Sequence, residues 1–141
     1  MAGEAENVEL VKRFFELYDP HGDRDALFAL MAPDIEMEPD PRHPRAGTHR
    51  GHDAYRAFFD EFEEPFESTA MEPERIFAGG DAVVAFVHTR RRPYGSSVEM
   101  ENRIGFYFTI RDGLIVREEV FGEREKALVA AGLTESDETP A

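Results

Sequence analysis

The hydrophobic pattern of this chain changes period once, near Phe66, from that of an α-helix to that of a β-strand. Upstream, Val8, Leu10, Val11, Phe14, Phe15, Leu17 and Tyr18 share one half of a helical wheel. Glu9, Lys12, Arg13, Glu16 and Asp19 take the other half, and Pro20 and Gly22 close the helix. Asp23 is placed to cap a second short helix through Leu27, Leu30 and Met31, ending near Pro33. A short strand is expected over residues 34–38. Tyr55, Phe58, Phe59 and Phe62 then recur at i, i+3, i+4 and i+7, marking a third helix that stops before Pro65.

Downstream, Val84, Phe86, His88 and Arg90 alternate with Val83, Ala85, Val87 and Thr89. Met100, Asn102, Ile104, Phe106, Phe108 and Ile110 alternate with Glu99, Glu101, Arg103, Gly105, Tyr107 and Thr109. Gly79-Gly80-Asp81, Pro93-Tyr94-Gly95-Ser96 and Asp112-Gly113 supply the turns of an antiparallel meander. Residues 123–131 read as a closing helix. Helices segregated from a meander define the α+β class. Three helices cannot cover so long a sheet laid flat, so the expected architecture is a cone, a curved antiparallel sheet wrapped around the N-terminal helices and open at one end as a pocket.

The length of 141 residues suits one domain, expected over residues 1–133, with 134–141 as a disordered polar tail. A net charge of −14 disfavours contact with nucleic acid and anionic membrane surfaces, while 41% hydrophobic residues separate the chain from acidic disordered segments. No cysteine is present, which removes disulfides, thiol nucleophiles and thiolate metal sites. The opening MAGEAENVEL has neither the basic flank nor the apolar run of a leader, and no stretch is long enough to span a bilayer, so a cytoplasmic protein is expected. No phosphate-binding glycine loop, dinucleotide fingerprint or GxSxG occurs, and no cofactor is implied. The five histidines, His21, His43, His49, His52 and His88, lack metal-ligand spacing, and no metal site is expected.

The apolar residues Val84, Phe86, Ile104, Phe106 and Phe108 set the expected inner face of the cone, and His88, Arg90 and Asn102 share it. On the last strand Arg117, Glu119 and Phe121 lie opposite Val116, Glu118 and Val120, and hydrophobicity does not decide which set points inward. With the first set inside, a carboxylate, guanidiniums and an imidazole converge as an acid/base constellation, and a structural ion-pair network is the competing reading. Glu38, fixed by Pro39 at the end of the first strand, is a second candidate carboxylate, set against the plainer reading of a solvated strand end shared with Glu36.

Several motifs resemble the nuclear transport factor 2-like superfamily, and within it the SnoaL-like polyketide cyclases and ketosteroid isomerases. They are Phe14-Phe15 on the first helix, Pro33-Asp34 before the first strand and Gly47-Thr48-His49-Arg50-Gly51 opening the third helix. Phe106-Tyr107-Phe108, Asp112-Gly113-Leu114-Ile115-Val116 and Val120-Phe121-Gly122-Glu123 complete the set, and the likeness spans about residues 7–132. The resemblance implies the cone fold and a small hydrophobic ligand. Glu38-Pro39 resembles the isomerase's base. The isomerase's oxyanion donors would fall at Phe14 or Phe15 and at Ile104, which cannot donate, so steroid isomerisation is not implied. Similarity to the cyclases and to limonene-type epoxide hydrolases places Glu119 inside the cone as the acid/base group, with His88 and Arg90 at hydrolase positions.

The sequence thus predicts an acid/base enzyme of the isomerase, cyclase or epoxide-hydrolase kind. Its catalytic groups would be Glu119, Glu38 and His88, and its substrate-binding residues Arg90, Arg117, Asn102, Phe14, Tyr18, Phe86, Phe106 and Phe121. The alternative is a non-catalytic ligand-binding or dimerisation module on the same fold. A homodimer is expected, with an apolar outer face of Val83, Ala85, Val87, Thr89, Tyr107 and Thr109 joining two sheets back to back.

Overall fold

Helix α1 (Glu4–Leu17) forms where the amphipathic pattern places it and buries Val8, Val11, Phe14 and Phe15. It opens a computed structural model that describes residues 3–140, so Met1, Ala2 and the last residue of the expected tail, Ala141, lie outside the described residues. Helix α2 (Arg24–Phe28) starts at Asp23, whose carboxylate accepts the Ala26 N–H at 3.0 Å. The helix is shorter than the sequence predicts. Met31 pairs with Ile115, and the Leu30 carbonyl accepts the Ile115 N–H at 2.9 Å, so strand β1 (Met31–Glu38) begins before Pro33.

The two-residue strand β2 (His49–Arg50) leads into α3 (Gly51–Glu63). Strands β3 (Phe66–Gly79), β4 (Ala82–Pro93), β5 (Met100–Arg111) and β6 (Leu114–Phe121) follow, and α4 (Arg124–Ala131) comes last. The sheet order is β2-β1-β6-β5-β4-β3. Neighbours run antiparallel except β1 and β6, which pair in parallel. Asp112 and Gly113 both take positive φ, 52° and 75°, as the tight β5–β6 hairpin requires.

Helices α1, α2 and α3 cover the inner face of the sheet. Val83, Ala85 and Val87 of β4 join Phe106, Phe108 and Ile110 of β5 against Phe14, Phe15, Phe28 and Phe59. The rings meet edge to face, Phe14 at 5.1 Å from Phe108 and Phe15 at 5.2 Å from Phe106. A second cluster forms on the outer face, where Ala127 and Leu128 of α4 pack on Phe77, Val84 and Phe86, flanked by Tyr107 and Phe121. Gly105 permits this contact. A Cβ there would lie 2.9 Å from the Arg124 carbonyl and 3.0 Å from the Ala127 Cβ.

Three expectations change. Val84 and Phe86 face outward under α4, and Val83, Ala85 and Val87 face inward. Residues 82–87 are all buried, so alternation within β4 could not tell one face from the other. The face offered for back-to-back dimerisation is therefore largely core, and of that set only Tyr107 and Thr109 lie on the outer side. The C-terminal segment, expected as a tail, makes specific contacts as far as it is described. Thr134 and Asp137 close a capping box on a single 3₁₀ turn, Glu135–Asp137. The Thr139 N–H donates to the Ile76 carbonyl at 2.8 Å, and Arg75 grips Glu135 and Glu138.

Two substitutions test the two faces. Phe14→Ala, at a fully buried site on the inner face, should cost about 3–5 kcal/mol. Gly105→Ala should cost about 1–3 kcal/mol by forcing α4 away from the sheet. Urea denaturation followed by circular dichroism reads both, and a Gly105→Ala midpoint equal to wild type would mean that α4 does not sit as described.

Candidate functional site

A slip in register decides what the cone contains. Thr109 of β5 faces Arg117, but Ile110 faces Ile115, so Val116 is an extra residue bulged out of β6. Before the bulge Ile115 points into the core. After it the inward positions are Glu118 and Val120, opposite Phe108 and Phe106. Uninterrupted alternation from Ile115 would have turned Arg117 and Glu119 inward instead.

Glu118 is 3% exposed and lines a cavity of about 200 Å³. The floor is closed by buried Met37, Tyr55, Phe59 and Thr89, and the mouth by the less buried Asp40, His43, Phe58, Phe62, Asn102 and Gly122. The Tyr55 hydroxyl donates to Glu118 Oε1 at 2.5 Å. Glu118 Oε2 has no protein partner among the described residues and is not among the sealed polar atoms, which leaves it reachable from the cavity. Burial without a countercharge pushes the Glu118 carboxyl up from its ordinary 4.5 to about 7, against the opposing pull of the Tyr55 hydrogen bond.

A second carboxylate nearby is treated in the opposite way. Glu63, at the end of α3, is 2% exposed and receives the Tyr18 hydroxyl at 2.6 Å and the Thr69 hydroxyl at 2.5 Å. Arg91 completes the set with Nε at 3.2 Å and Nη2 at 2.9 Å, its guanidinium 4.7 Å from the Phe62 ring centre. Burial works against the Arg91 charge, but its bonds to Glu63 and the neighbouring Tyr18 prevail and hold it raised. Burial, reinforced by the facing carboxylates, pushes the hydroxyls of Tyr18 and Tyr55 well above the usual tyrosine range. Both tyrosine protons are thus spent on carboxylates, Tyr55's on Glu118 in the wall and Tyr18's on Glu63 behind it.

The residues expected from the sequence divide between the two faces. Tyr18, Phe106 and Asn102 line the cavity, while Phe14 lies deeper in the core beside it. Glu38, Arg117 and Glu119 come together on the outer face, where Arg117 reaches Glu36 at 2.9 Å, Glu38 at 2.6 Å and Glu119 at 3.5 Å. Burial opposes the Arg117 charge and the surrounding carboxylates raise it, which is the chemistry of a structural ion-pair network. His88 and Arg90 are also outside. His88 Nε2 lies 2.9 Å from Glu101 Oε1 without the alignment of a hydrogen bond, and Arg90 is 3.4 Å from Glu72. Phe86 and Phe121 pack around α4. The inward placements of Arg117, Glu119 and Phe121 are corrected by the Val116 bulge on β6, and those of Phe86, His88 and Arg90 by the two-sided burial of β4. Glu38 ends β1 beside Glu36. The sequence reading missed Glu118, Glu63 and Arg91. Val120, in step with Glu118 and apolar, was the one signal for the correct β6 face.

A wider groove, about 580 Å³, runs between α1, β3 and the C-terminal segment. Its two arginines, Arg75 and Arg90, are already paired, and it lies open to solvent, so the convergent polar groups of the cone make the better candidate site.

The chain belongs to the SnoaL-like domain family, whose pattern matches residues 11–118. No curated protein matches it in sequence. Among solved structures it is similar to a protein from Jannaschia sp. CCS1 provisionally assigned as a SnoaL-like polyketide cyclase. The two are 23% identical over 84% of this chain and 85% of that one, with a TM-score of 0.71. TerC, crystallised with polyporic acid, is 20% identical over 90% and 95% of the two chains, TM-score 0.73. A hypothetical protein of ketosteroid isomerase-like fold from Catenulispora acidiphila DSM 44928, in complex with trimethylamine, is 17% identical over 94% and 98%, TM-score 0.70. At these identities the likeness is one of fold, the nuclear transport factor 2-like cone. No helix among the described residues is long and apolar enough to cross a membrane.

The Glu118 environment predicts a pH-dependent stability of definite sign. A carboxyl whose folded pKa exceeds its unfolded value imposes no penalty below about 4.5. The penalty grows as pH rises towards about 7 and is complete above it. Its size is on the order of 3 kcal/mol. Glu118→Gln should therefore become more stable relative to wild type as pH rises from about 5 to 8. A flat difference between the two chains across that range, measured by urea denaturation, would remove the buried, unpaired carboxylate.

Proposed function

We propose that this protein is an acid/base enzyme acting on a small, mostly apolar molecule held in the cone, with Glu118 as the group that takes and returns the proton. One observation carries this reading. Glu118 is a buried carboxyl with a single neutral hydrogen-bond partner, one reachable oxygen and a pKa poised near neutrality, while its neighbour Glu63 is neutralised by an arginine. A fold needing only a packed interior has no use for the first arrangement beside the second.

In the step that this geometry serves, Glu118 carboxylate removes a proton from carbon beside a carbonyl. The C–H electron pair moves into the carbonyl as an enolate, and the proton returns from Glu118 to carbon. Tyr55 keeps the carboxylate oriented through Oε1 and leaves Oε2 for the substrate. The Arg91 guanidinium lies in the same wall with its charge balanced by Glu63. The structural relatives assigned as a polyketide cyclase or solved with polyporic acid support a carbonyl-bearing apolar substrate.

The test uses β-tetralone, a bicyclic ketone with exchangeable protons beside its carbonyl. In deuterated buffer, the wild-type protein should accelerate exchange at that carbon, with a rate that rises with pH and levels off above about 7. Glu118→Gln should lower the acceleration by about 10²-fold or more while the ketone still binds. Binding of the ketone with no acceleration by wild type would overturn the enzyme reading in favour of a non-catalytic binding module.

A further inference from the structure

The loop between β1 and β2, residues 39–48, crosses the mouth of the cone and is fastened at three points. Asp40 Oδ2 accepts the Gly122 N–H at 2.5 Å, Arg45 pairs with Glu61 on α3, and the His43 ring packs against Phe58 and Phe62, 5.3 Å from each centre. The third fastening fixes more than position. The backbone N–H of Arg45 donates to His43 Nδ1 at 3.0 Å. A backbone amide can only donate, so Nδ1 holds a lone pair and the neutral ring carries its proton on Nε2. Among the described residues no protein group accepts that Nε2–H, and His43 lines the same cavity as Glu118.

The cavity is therefore asymmetric. At its floor the hydroxyl protons of Tyr18 and Tyr55 are committed to Glu63 and Glu118, which leaves oxygen lone pairs and a proton acceptor facing the ligand. At its mouth His43 offers an uncommitted N–H. The Asp40 carboxylate, held down at about 2 by the hydrogen bond from Arg42, lines the same mouth, while Arg42, which pairs with it, does not. An anionic group on the ligand would meet that carboxylate, whereas a neutral oxygen would not.

We infer that His43 is a specificity-determining residue, and that the ligand of the cone carries a neutral oxygen acceptor, a carbonyl, ether or hydroxyl, at the end remote from Glu118. The substrate class is then an apolar body with oxygen functions at both ends. The inner oxygen activates the carbon that exchanges its proton, and the outer one seats on His43 Nε2–H. This assignment rests on the cone being the ligand site.

The test compares two ketones, β-tetralone and the same ketone bearing a methoxy group on its far ring, an acceptor with no proton to donate. Their affinities for the full chain are measured by calorimetry or ligand-observed NMR. Wild type should favour the methoxy ketone by about three- to tenfold, the worth of one neutral hydrogen bond. His43→Phe, which keeps the aromatic packing on Phe58 and Phe62, should bring the ratio close to one. His43→Gln, which restores an N–H, should recover part of it. A wild-type ratio near one, or a preference that survives His43→Phe, overturns the assignment while leaving Glu118 chemistry standing. Failure of both ketones to bind removes the cone as the ligand site, and this inference with it.

Discussion

Strands β4 and β5 carry apolar side chains on both faces, and each face needs its own cover. On the inner side α1, α2 and α3 bury Val83, Ala85, Val87, Phe106 and Phe108. On the outer side α4 buries Val84 and Phe86, with its backbone close against Gly105. A sheet pinned from both sides is a rigid wall. The weakly covered part of the structure is the end of the cone away from this double layer, where β1, the start of β5 and the end of β6 meet the loop of residues 39–48. The cavity lies there between α3, which supplies Tyr55, Phe58, Phe59 and Phe62, and the inner face of the sheet.

Two carboxylates near the same aromatic wall, Glu118 lining the cavity and Glu63 behind Tyr18 and Arg91, are kept in different surroundings. Glu63 receives two hydroxyls and a two-point contact from Arg91, so its charge is fully compensated. Glu118 receives one hydroxyl and no cation, and its charge is expensive. Environment alone makes one a structural anchor and raises the carboxyl of the other to about 7. The outer cluster of Glu36, Glu38, Arg117 and Glu119 gives the contrast. Those carboxylates gather around Arg117, with Arg50 also on Glu36, and Glu38 and Glu119 line a separate outer pocket of about 180 Å³ in which their charges are already met by arginine.

Both predicted and observed sites contain a glutamate on β6, an arginine on β4 and an asparagine at the start of β5, yet the glutamate and arginine differ by one residue. Glu119 gives way to Glu118, and Arg90 to Arg91. Each error is a reversal of parity. In β4 the pattern held no information, since an unbroken run of buried residues fits either face. In β6 the pattern was interrupted at Val116, and a bulge leaves no mark in a sequence of mixed Arg, Glu and Val residues. The shortened α2 has a related cause, because pairing with Ile115 draws Met31 into β1.

The sequence by itself determined the α+β class, the positions of α1, α3 and α4, the hairpin turns and the resemblance to SnoaL-like proteins. These rest on local periods and turn chemistry, which adjacent residues fully encode. It also placed Tyr18, Phe106 and Asn102 on surfaces that the cavity uses. Tertiary structure alone decided which face of each strand is inside, because that depends on whether a distant helix covers the other face and on register between strands far apart in the chain. The identity of the carboxylate that lines the cavity follows from that choice. Glu118 and Glu119 are chemically identical neighbours, and only the fold puts one beside Tyr55 inside the cone and the other beside Arg117 on the outer face.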